Sequence, residues 1–235
     1  MALILNIETA TSVCSVGLSE GTDLIAFRES HEKNIHAAKV TSFSEEVFHE
    51  SGFSMNQLDA VAVSMGPGSY TGLRIGVSAA KGFCYALDIP LISVPTLQSL
   101  ALSASQDLSN ITTGGKEPLF CPMIDARRME VYTALYNSQN DEVRATKALI
   151  IEEDSFEEEL QSFEVYYFGD GAEKCRHILD PKGMIYLKGI TPSSERMAYL
   201  SSRKFQNKIF EDVAYFEPYY LKDFIAGKPK VKGLE

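Results

Sequence analysis

Residues 60–77 run Ala60-Val61-Ala62-Val63-Ser64-Met65-Gly66-Pro67-Gly68-Ser69-Tyr70-Thr71-Gly72-Leu73-Arg74-Ile75-Gly76-Val77. The apolar opening, Ala60 to Ser64, suits a buried strand, and the long apolar segment Leu73 to Leu87 suits a helix. The glycine-rich piece between them is therefore a strand-to-helix junction. Such junctions hold anions when glycines let the backbone come close and the unpaired first N–H groups of the helix face the ligand. A phosphate-binding loop, however, needs Lys-Ser or Lys-Thr straight after its last glycine, and here Leu73-Arg74-Ile75 follows Gly72. Gly66, Gly68, Ser69, Thr71, Gly72 and Arg74 read instead as a tight turn, with Ser69 as the N-cap and Thr71 in the first helical turn.

Upstream of this junction lie three strand-like runs, Ala2 to Ile7, Val13 to Leu18 and Leu24 to Arg28, which form an antiparallel meander turning at Ser19 to Asp23. A helix from about Ile35 to His49 precedes the junction; strand Leu91 to Val94 and helix Thr96 to Leu108 follow it. The stretch Asn110 to Pro118, with Thr112-Thr113-Gly114-Gly115, is the expected boundary between two lobes, 1–109 and 110–235. Beyond it the pattern restarts. Setting Ile7 on Ile124 aligns Glu8 with Asp125 and drops Cys14, Val16 and Leu18 onto Val131, Thr133 and Leu135, one strand face by period two. Strands at Arg144 to Ile151, Val165 to Phe168 and Met184 to Leu187, with helices Ala172 to Leu179 and Ser193 to Phe205, continue the parallel. The last segment is expected to pack back on the first lobe, with Gly227-Lys228-Pro229-Lys230 as a tail.

The chain has 235 residues, 45% of them hydrophobic, enough for real α/β cores. With 22 basic and 32 acidic residues the net charge is −10, a surface that repels phosphate backbones, so tight binding of RNA by this chain alone is not expected. The acidic run Glu152-Glu153-Asp154 with Glu157 to Glu159 reads as a solvated helix turn, Ser155 and Glu158 making a capping box. Cys14, Cys84, Cys121 and Cys175 stand far apart and read as buried hydrophobes rather than zinc ligands or disulfides. No apolar run or basic leader points to a membrane or to export, so a cytoplasmic protein is expected.

A duplicated βββαβαβ core with an acidic residue ending its first strand is the plan of the actin-like, sugar-kinase and Hsp70-type ATPase (ASKHA) fold, related to ribonuclease H: two lobes, each a mixed sheet with helices. Within it the chain resembles the TsaB (YeaZ) family. The matching pieces are Ile4 to Ala10, Gly66 to Gly76 with Ala80-Lys81-Gly82, Asp125-Ala126-Arg127-Arg128-Met129-Glu130-Val131-Tyr132, and Pro218-Tyr219-Tyr220-Leu221-Lys222. They cover nearly the whole chain in order, and the glycine-rich piece is the specific one. Glu8 and Tyr70 depart from the family's usual Asp and Phe but keep charge and ring.

The resemblance implies a non-catalytic subunit of the machinery that makes threonylcarbamoyladenosine beside the tRNA anticodon. It implies pairing with a TsaD-type catalytic relative, with a TsaE-type ATPase joining the pair, and a homodimer when that partner is absent. Contact with tRNA would run mainly through partners, which would also be the users of ATP; no cofactor of its own is implied.

The residues themselves leave two other classes open. A free-standing ATPase or kinase of this fold would use Glu8 to orient metal or phosphate, with Thr9 and Ser12 beside it as a vestigial nucleotide site. Against turnover, the matching turn of the second half carries Arg127, Arg128 and Met129, long side chains expected to fill the cleft or pair with Glu8 or Glu130. A glycoprotease-like peptidase, an old label in this superfamily, lacks a Gly-x-Ser-x-Gly elbow. A metal site is not expected, because His31 and His36 are five residues apart and leave one helix face, and both read as surface or capping residues.

The two helices around the junction carry the physical case for an interface. In the second, Leu73, Val77, Ala80, Cys84 and Leu87 form one apolar row, Gly76, Ala79, Phe83 and Ala86 another, and Arg74, Ser78, Lys81 and Tyr85 a narrow polar stripe. The first has Val40, Phe43 and Val47 on one row and Ala37, Ser44 and Phe48 on another. A helix on a sheet needs about 100° of apolar surface. The surplus is expected to meet two partner helices in a four-helix bundle, with Val40, Phe43, Val47, Leu73, Gly76, Val77, Ala80, Lys81 and Cys84 as interface residues.

Overall fold

The computed structural model describes residues 1–32, 35–107 and 115–222. The first half runs β1 (Leu3–Glu8), β2 (Cys14–Glu20), β3 (Asp23–Ser30), α1 (His36–Ser51), β4 (Ala60–Gly66), α2 (Tyr70–Leu87), β5 (Leu91–Pro95) and α3 (Thr96–Asp107). Its sheet has the order β3-β2-β1-β4-β5, antiparallel through the meander and parallel from β1 to β5. The meander's second turn is a two-residue hairpin whose first residue, Gly21, has φ +64°, a twist that matches the flanking strands.

The second half repeats this plan with β6 (Glu117–Asp125), β7 (Glu130–Tyr136), β8 (Glu142–Ile150), α4 (Glu157–Ser162), β9 (Phe163–Phe168), α5 (Arg176–Leu179), β10 (Ile185–Tyr186) and α6 (Met197–Gln206). Its sheet order, β8-β7-β6-β9-β10, and its strand senses are those of the first sheet, so the duplication holds at the level of topology. Among the described residues no helix is long and apolar enough to cross a membrane.

The central strands are buried on both faces, and the two faces have different covers. Leu3, Leu5 and Ile7, with Cys14, Val16 and Leu18, pack beneath Val40, Phe43 and Val47 of α1 and Val77, Ala80 and Cys84 of α2. In the second sheet the equivalent outer cluster is Leu119, Cys121 and Met123 with Val131, Leu135 and Leu179. The pairing registers agree: Ile7 stands opposite Val16, and Met123 opposite Thr133. The alignment of β2 with β7 therefore stands, whereas that of β1 with β6 is one residue out. The path from Met123 to Thr133 is one residue longer than that from Ile7 to Val16. Glu8 matches Ile124, and Asp125 lies on the opposite face.

The inner faces are covered by exchange. Leu97, Leu100, Ala101 and Ala104 of α3, which ends the first half, pack on Phe120, Ile124, Tyr166 and Phe168 of the second sheet. Met197 and Leu200 of α6, which ends the second half, pack on Ile4, Ala62, Ile92 and Val94 of the first. Two polar contacts seat α6: Ser201 Oγ, buried, donates to Asn6 Oδ1 (2.7 Å), and the half-buried Lys204 Nζ donates to the carbonyl of Ser93 (2.7 Å). The lobe boundary expected around Asn110 and the tail from Gly227 lie wholly or mostly outside the described residues.

Local expectations fail at two of three helix starts. The Ser155–Glu158 capping box is absent: Phe156, at φ +72°, is the N-cap of α4, and Ser155 Oγ accepts from the N–H of Glu152 (3.0 Å). Helix α2 begins at Tyr70 with Ser69 as its N-cap, as expected. Helix α6 begins at Met197, since the N–H of Ser194 is drawn to Ser15 Oγ (2.9 Å) on the first sheet.

Candidate functional site

The junction is built by glycines on which neighbouring backbone sits. Ser69 Oγ accepts from the N–H of Gly72 (3.2 Å), and Ser69 N–H donates to the carbonyl of Ala10 (2.6 Å), tying the start of α2 to the β1–β2 turn. A Cβ on Gly68 would strike the Ala10 carbonyl, one on Gly72 the Thr9 carbonyl, and one on Gly76 the Thr9 hydroxyl. Gly66, at φ +108°, faces the carbonyl of Tyr219, 2.9 Å from where its Cβ would stand. The space beside these glycines is taken by the chain's own atoms, backbone at Gly66, Gly68 and Gly72 and the Thr9 side chain at Gly76.

Between the two halves lies an open cavity of about 850 Å³. Thr11, Ser12, His36 and the first turn of α2 line it from one side, Arg127, Arg128 and Asp170 from the other. His36 Nε2 is 2.9 Å from the carbonyl of Thr11 and 3.2 Å from that of Val13, so this nitrogen carries a proton and pins the β1–β2 turn. His36 is buried, not a surface residue. Segment 219–222 straps one side of the cavity. Tyr219 N–H donates to the carbonyl of Met65 (2.7 Å); the Tyr220 ring lies 5.0 Å from that of Tyr70, over which Arg74 sits at 4.5 Å; Lys222 pairs with Glu130 on β7. Nothing local in Pro218 to Lys222 signals this, because every contact is distant in sequence.

The expected nucleotide residues do not come together. Glu8 is fully buried on the inner face of the first sheet, in register with Ser15, and does not line the cavity. Its Oε1 accepts from the N–H of Ala10 (2.6 Å) while Oε2 has no partner, and burial, against the hydrogen bonds it accepts, pushes its pKa up to about 7. Thr9 is buried against Gly76, and only Ser12 of the three reaches the cavity. Among the described residues no three His, Cys, Asp or Glu side chains gather to hold a metal ion.

Arg127 and Arg128 also differ from expectation. Glu130 is taken by Lys222, Asp125 by Lys174, and Glu8 is out of reach on another face, so neither guanidinium has an ion-pair partner among the described residues. Both residues hold left-handed backbone, φ +69° and +48°. Asp170, on the cavity wall, accepts from the N–H of Asp125 (3.2 Å), and desolvation there raises its pKa.

The interface residues need the largest correction. Val40, Phe43, Val47, Leu73, Val77, Ala80 and Cys84 are each no more than 6% exposed, and Gly76 is buried under Thr9. That row faces the sheet, where it is the core. Lys81 donates from Nζ to the carbonyls of Ala214 (3.0 Å) and Phe216 (3.1 Å), holding the C-terminal segment. Where α1 and α2 meet at the surface, the exposed side chains are mostly small: Ala37 and Thr41 on α1, Thr71 and Ser78 beside the longer Arg74 on α2, with Ile75 and Ala79 half-buried. Between them runs a shallow groove of about 500 Å³. The polar stripe Arg74, Ser78 and Tyr85 marked this face in the sequence.

Two sheets of one topology, two helices outside each, one helix exchanged from each half and a cleft between them define a duplicated α/β protein of the actin-like class. The family model for tRNA N6-adenosine threonylcarbamoyltransferase (TsaD) matches residues 30–232. The TsaB protein of Escherichia coli, named for tRNA threonylcarbamoyladenosine biosynthesis, is 30% identical over 99% of both chains. The TsaB of Bacillus subtilis is 32% identical over 58% of this chain and 56% of its own. YeaZ from Pseudomonas aeruginosa has the same fold, with a TM-score of 0.74 at 22% identity, covering 94% of this chain and all of that one. The chain belongs to the TsaB (YeaZ) family.

Proposed function

We propose that this protein takes part in threonylcarbamoyladenosine biosynthesis on tRNA as an accessory subunit, holding and activating a TsaD-type catalytic partner and recruiting a TsaE-type ATPase. The observation that carries the non-catalytic reading is the filled junction: Gly68, Gly72 and Gly76, which could open backbone to a phosphate, lie beneath Thr9 and Ala10, and Glu8 is turned away from the cleft. The protein turns over no nucleotide; ATP is consumed by its partners, and tRNA is met mainly through them, in keeping with the net charge of −10.

Docking uses the outward side of α1 and α2. Small residues such as Ala37, Thr41, Ser78 and Ala79 let partner helices approach closely, at the 8–10 Å typical of packed axes. The same face pairs two copies when the catalytic partner is absent. The test is complementation of a depleted strain, with the modified nucleoside read by mass spectrometry. Substitutions on the outward helix face, such as Ser78→Glu, are expected to lower it, whereas Glu8→Gln leaves it intact. The reverse pattern, with ATP turnover by the isolated chain, would establish a free-standing ATPase and remove this proposal.

A further inference from the structure

From Arg196, at the start of α6, to Phe210, just past its end, the chain carries Arg196, Arg203, Lys204 and Lys208 and no acidic residue, although the net charge of the whole is −10. Two of these cations are engaged: Arg196 pairs with Asp107 at the end of α3 (3.4 Å), and Lys204 reaches inward to the carbonyl of Ser93. Arg203 and Lys208 are exposed and have no carboxylate partner among the described residues. Planar groups stand beside them. Tyr199, four residues before Arg203 and so on the same helix face, is exposed, and the Arg203 guanidinium lies over its ring, 5.6 Å from the centroid. Past the left-handed turn at Lys208 (φ +54°), the exposed Phe210 packs on the half-buried Phe205, their ring centroids 5.7 Å apart. The acids that flank the run lie outside it, Glu195 before and Glu211 and Asp212 after, and Glu211 is held by Ser93 Oγ. Because α6 covers the inner face of the first sheet and α1 and α2 its outer face, a partner seated on those two helices leaves this surface open.

Cations interleaved with exposed planes are what holds a single-stranded nucleic acid: bases stack on rings and guanidinium groups while phosphates meet the charges. A duplex, whose bases already stack on one another, gains only the charge, and so does an acidic peptide. We propose that the outward side of α6, with the turn through Phe210, is a contact surface for single-stranded RNA. Lys208 meets phosphate, and the Arg203–Tyr199 stack and Phe210 offer planes to bases. The contact is weak because the chain as a whole is acidic. It goes beyond the accessory role and does not depend on it, since its test uses the isolated chain.

The experiment is fluorescence anisotropy of a labelled oligouridine of roughly 12 nucleotides, titrated with the full-length protein at several salt concentrations. An RNA duplex of the same length and polyglutamate are compared with it at equal ionic strength. The single strand is expected to bind several-fold more tightly than either. Arg203→Gln with Lys208→Gly should weaken it by roughly tenfold at low salt and flatten the slope of log affinity against log salt by about 0.7 per cation removed. The melting temperature should not fall, since glycine relieves the left-handed backbone at Lys208. Arg203→Lys keeps the charge but loses the plane, so the slope should hold while most of the preference for single strand over duplex disappears. No binding at low salt, an unchanged slope in the double variant, a full preference kept by Arg203→Lys, or duplex or polyglutamate bound as tightly as the single strand would each overturn the proposal.

Discussion

The hydroxyl of Thr9 occupies the space into which a Cβ on Gly76 would project, and the carbonyl of the same threonine does so for Gly72. The two glycines thus meet different kinds of obstacle. Gly76→Ala and Gly72→Ala are each expected to cost about 1–3 kcal/mol or more in denaturant unfolding, as overpacking does. Adding Thr9→Ala should recover much of the loss in Gly76→Ala, because only a side chain is in the way, and none in Gly72→Ala, where backbone is. Equal rescue of both would contradict the packing described.

Glu8 makes stability depend on pH in a direction opposite to that of a salt-bridged carboxylate. Its pKa rises from the ordinary 4.5 to about 7 in the folded state, so between these values the native protein holds a proton that the unfolded chain has released. Its contribution is complete below 4.5 and is lost as pH climbs to 7, on the order of 3 kcal/mol in all. Glu8→Gln keeps an acceptor for the Ala10 N–H and should flatten this part of the profile, leaving the variant more stable than the parent at pH 8. Thermal melts across pH 4–8 measure it, and parallel profiles would sink the idea.

Outward and inward positions on α2 should separate cleanly. Val77→Asp places a charge beneath the helix, where Val77 is 4% exposed, and is expected to cost about 3 kcal/mol or more, visible as a lowered melting temperature of the lone protein. Ser78→Glu, one residue along and exposed, should melt within about 0.5 kcal/mol of the parent yet reduce co-purification with a TsaD-type subunit. Co-purification undiminished in Ser78→Glu and in charged substitutions at Thr41 and Arg74 would place docking elsewhere.

All four cysteines are buried and free, and burial pushes their thiols up to about 11 for Cys14, Cys84 and Cys175 and about 12 for Cys121. A thiol reagent such as Ellman's should therefore find almost nothing in the native protein at pH 8 and four equivalents in denaturant. A fast native equivalent would mean that one of these cores opens readily.

Much of the fold was legible in the primary structure because strands and helices announce themselves locally. Period-two runs such as Cys14, Val16 and Leu18, the Ser69 cap and the glycine junction needed no distant contact to be read. Less legible was which of two apolar rows on α2 faces inward. Periodicity groups Leu73 with Val77 and Ala79 with Phe83, but only the sheet decides between the groups. The one-residue slip between β1 and β6 was hidden for a related reason: apolar residues on both faces leave a doubly buried strand without alternation. At the cavity, the β6–β7 turn was read correctly as the counterpart of the β1–β2 turn. The freedom of its arginines was not, since it depends on Lys174 and Lys222 arriving from far along the chain to claim Asp125 and Glu130.

The exchange of α3 and α6 has a consequence for how the protein is made. During synthesis the first sheet is complete by residue 95, yet the helix that covers Ile4, Ala62, Ile92 and Val94 emerges only with residues 197–206. For about a hundred residues of translation the inner face of that sheet lacks α6, and the second sheet leaves the ribosome beside it. A chain truncated before Ser193 should bind an apolar dye that the whole protein ignores, and a ribosome-associated chaperone would find its natural foothold on that face.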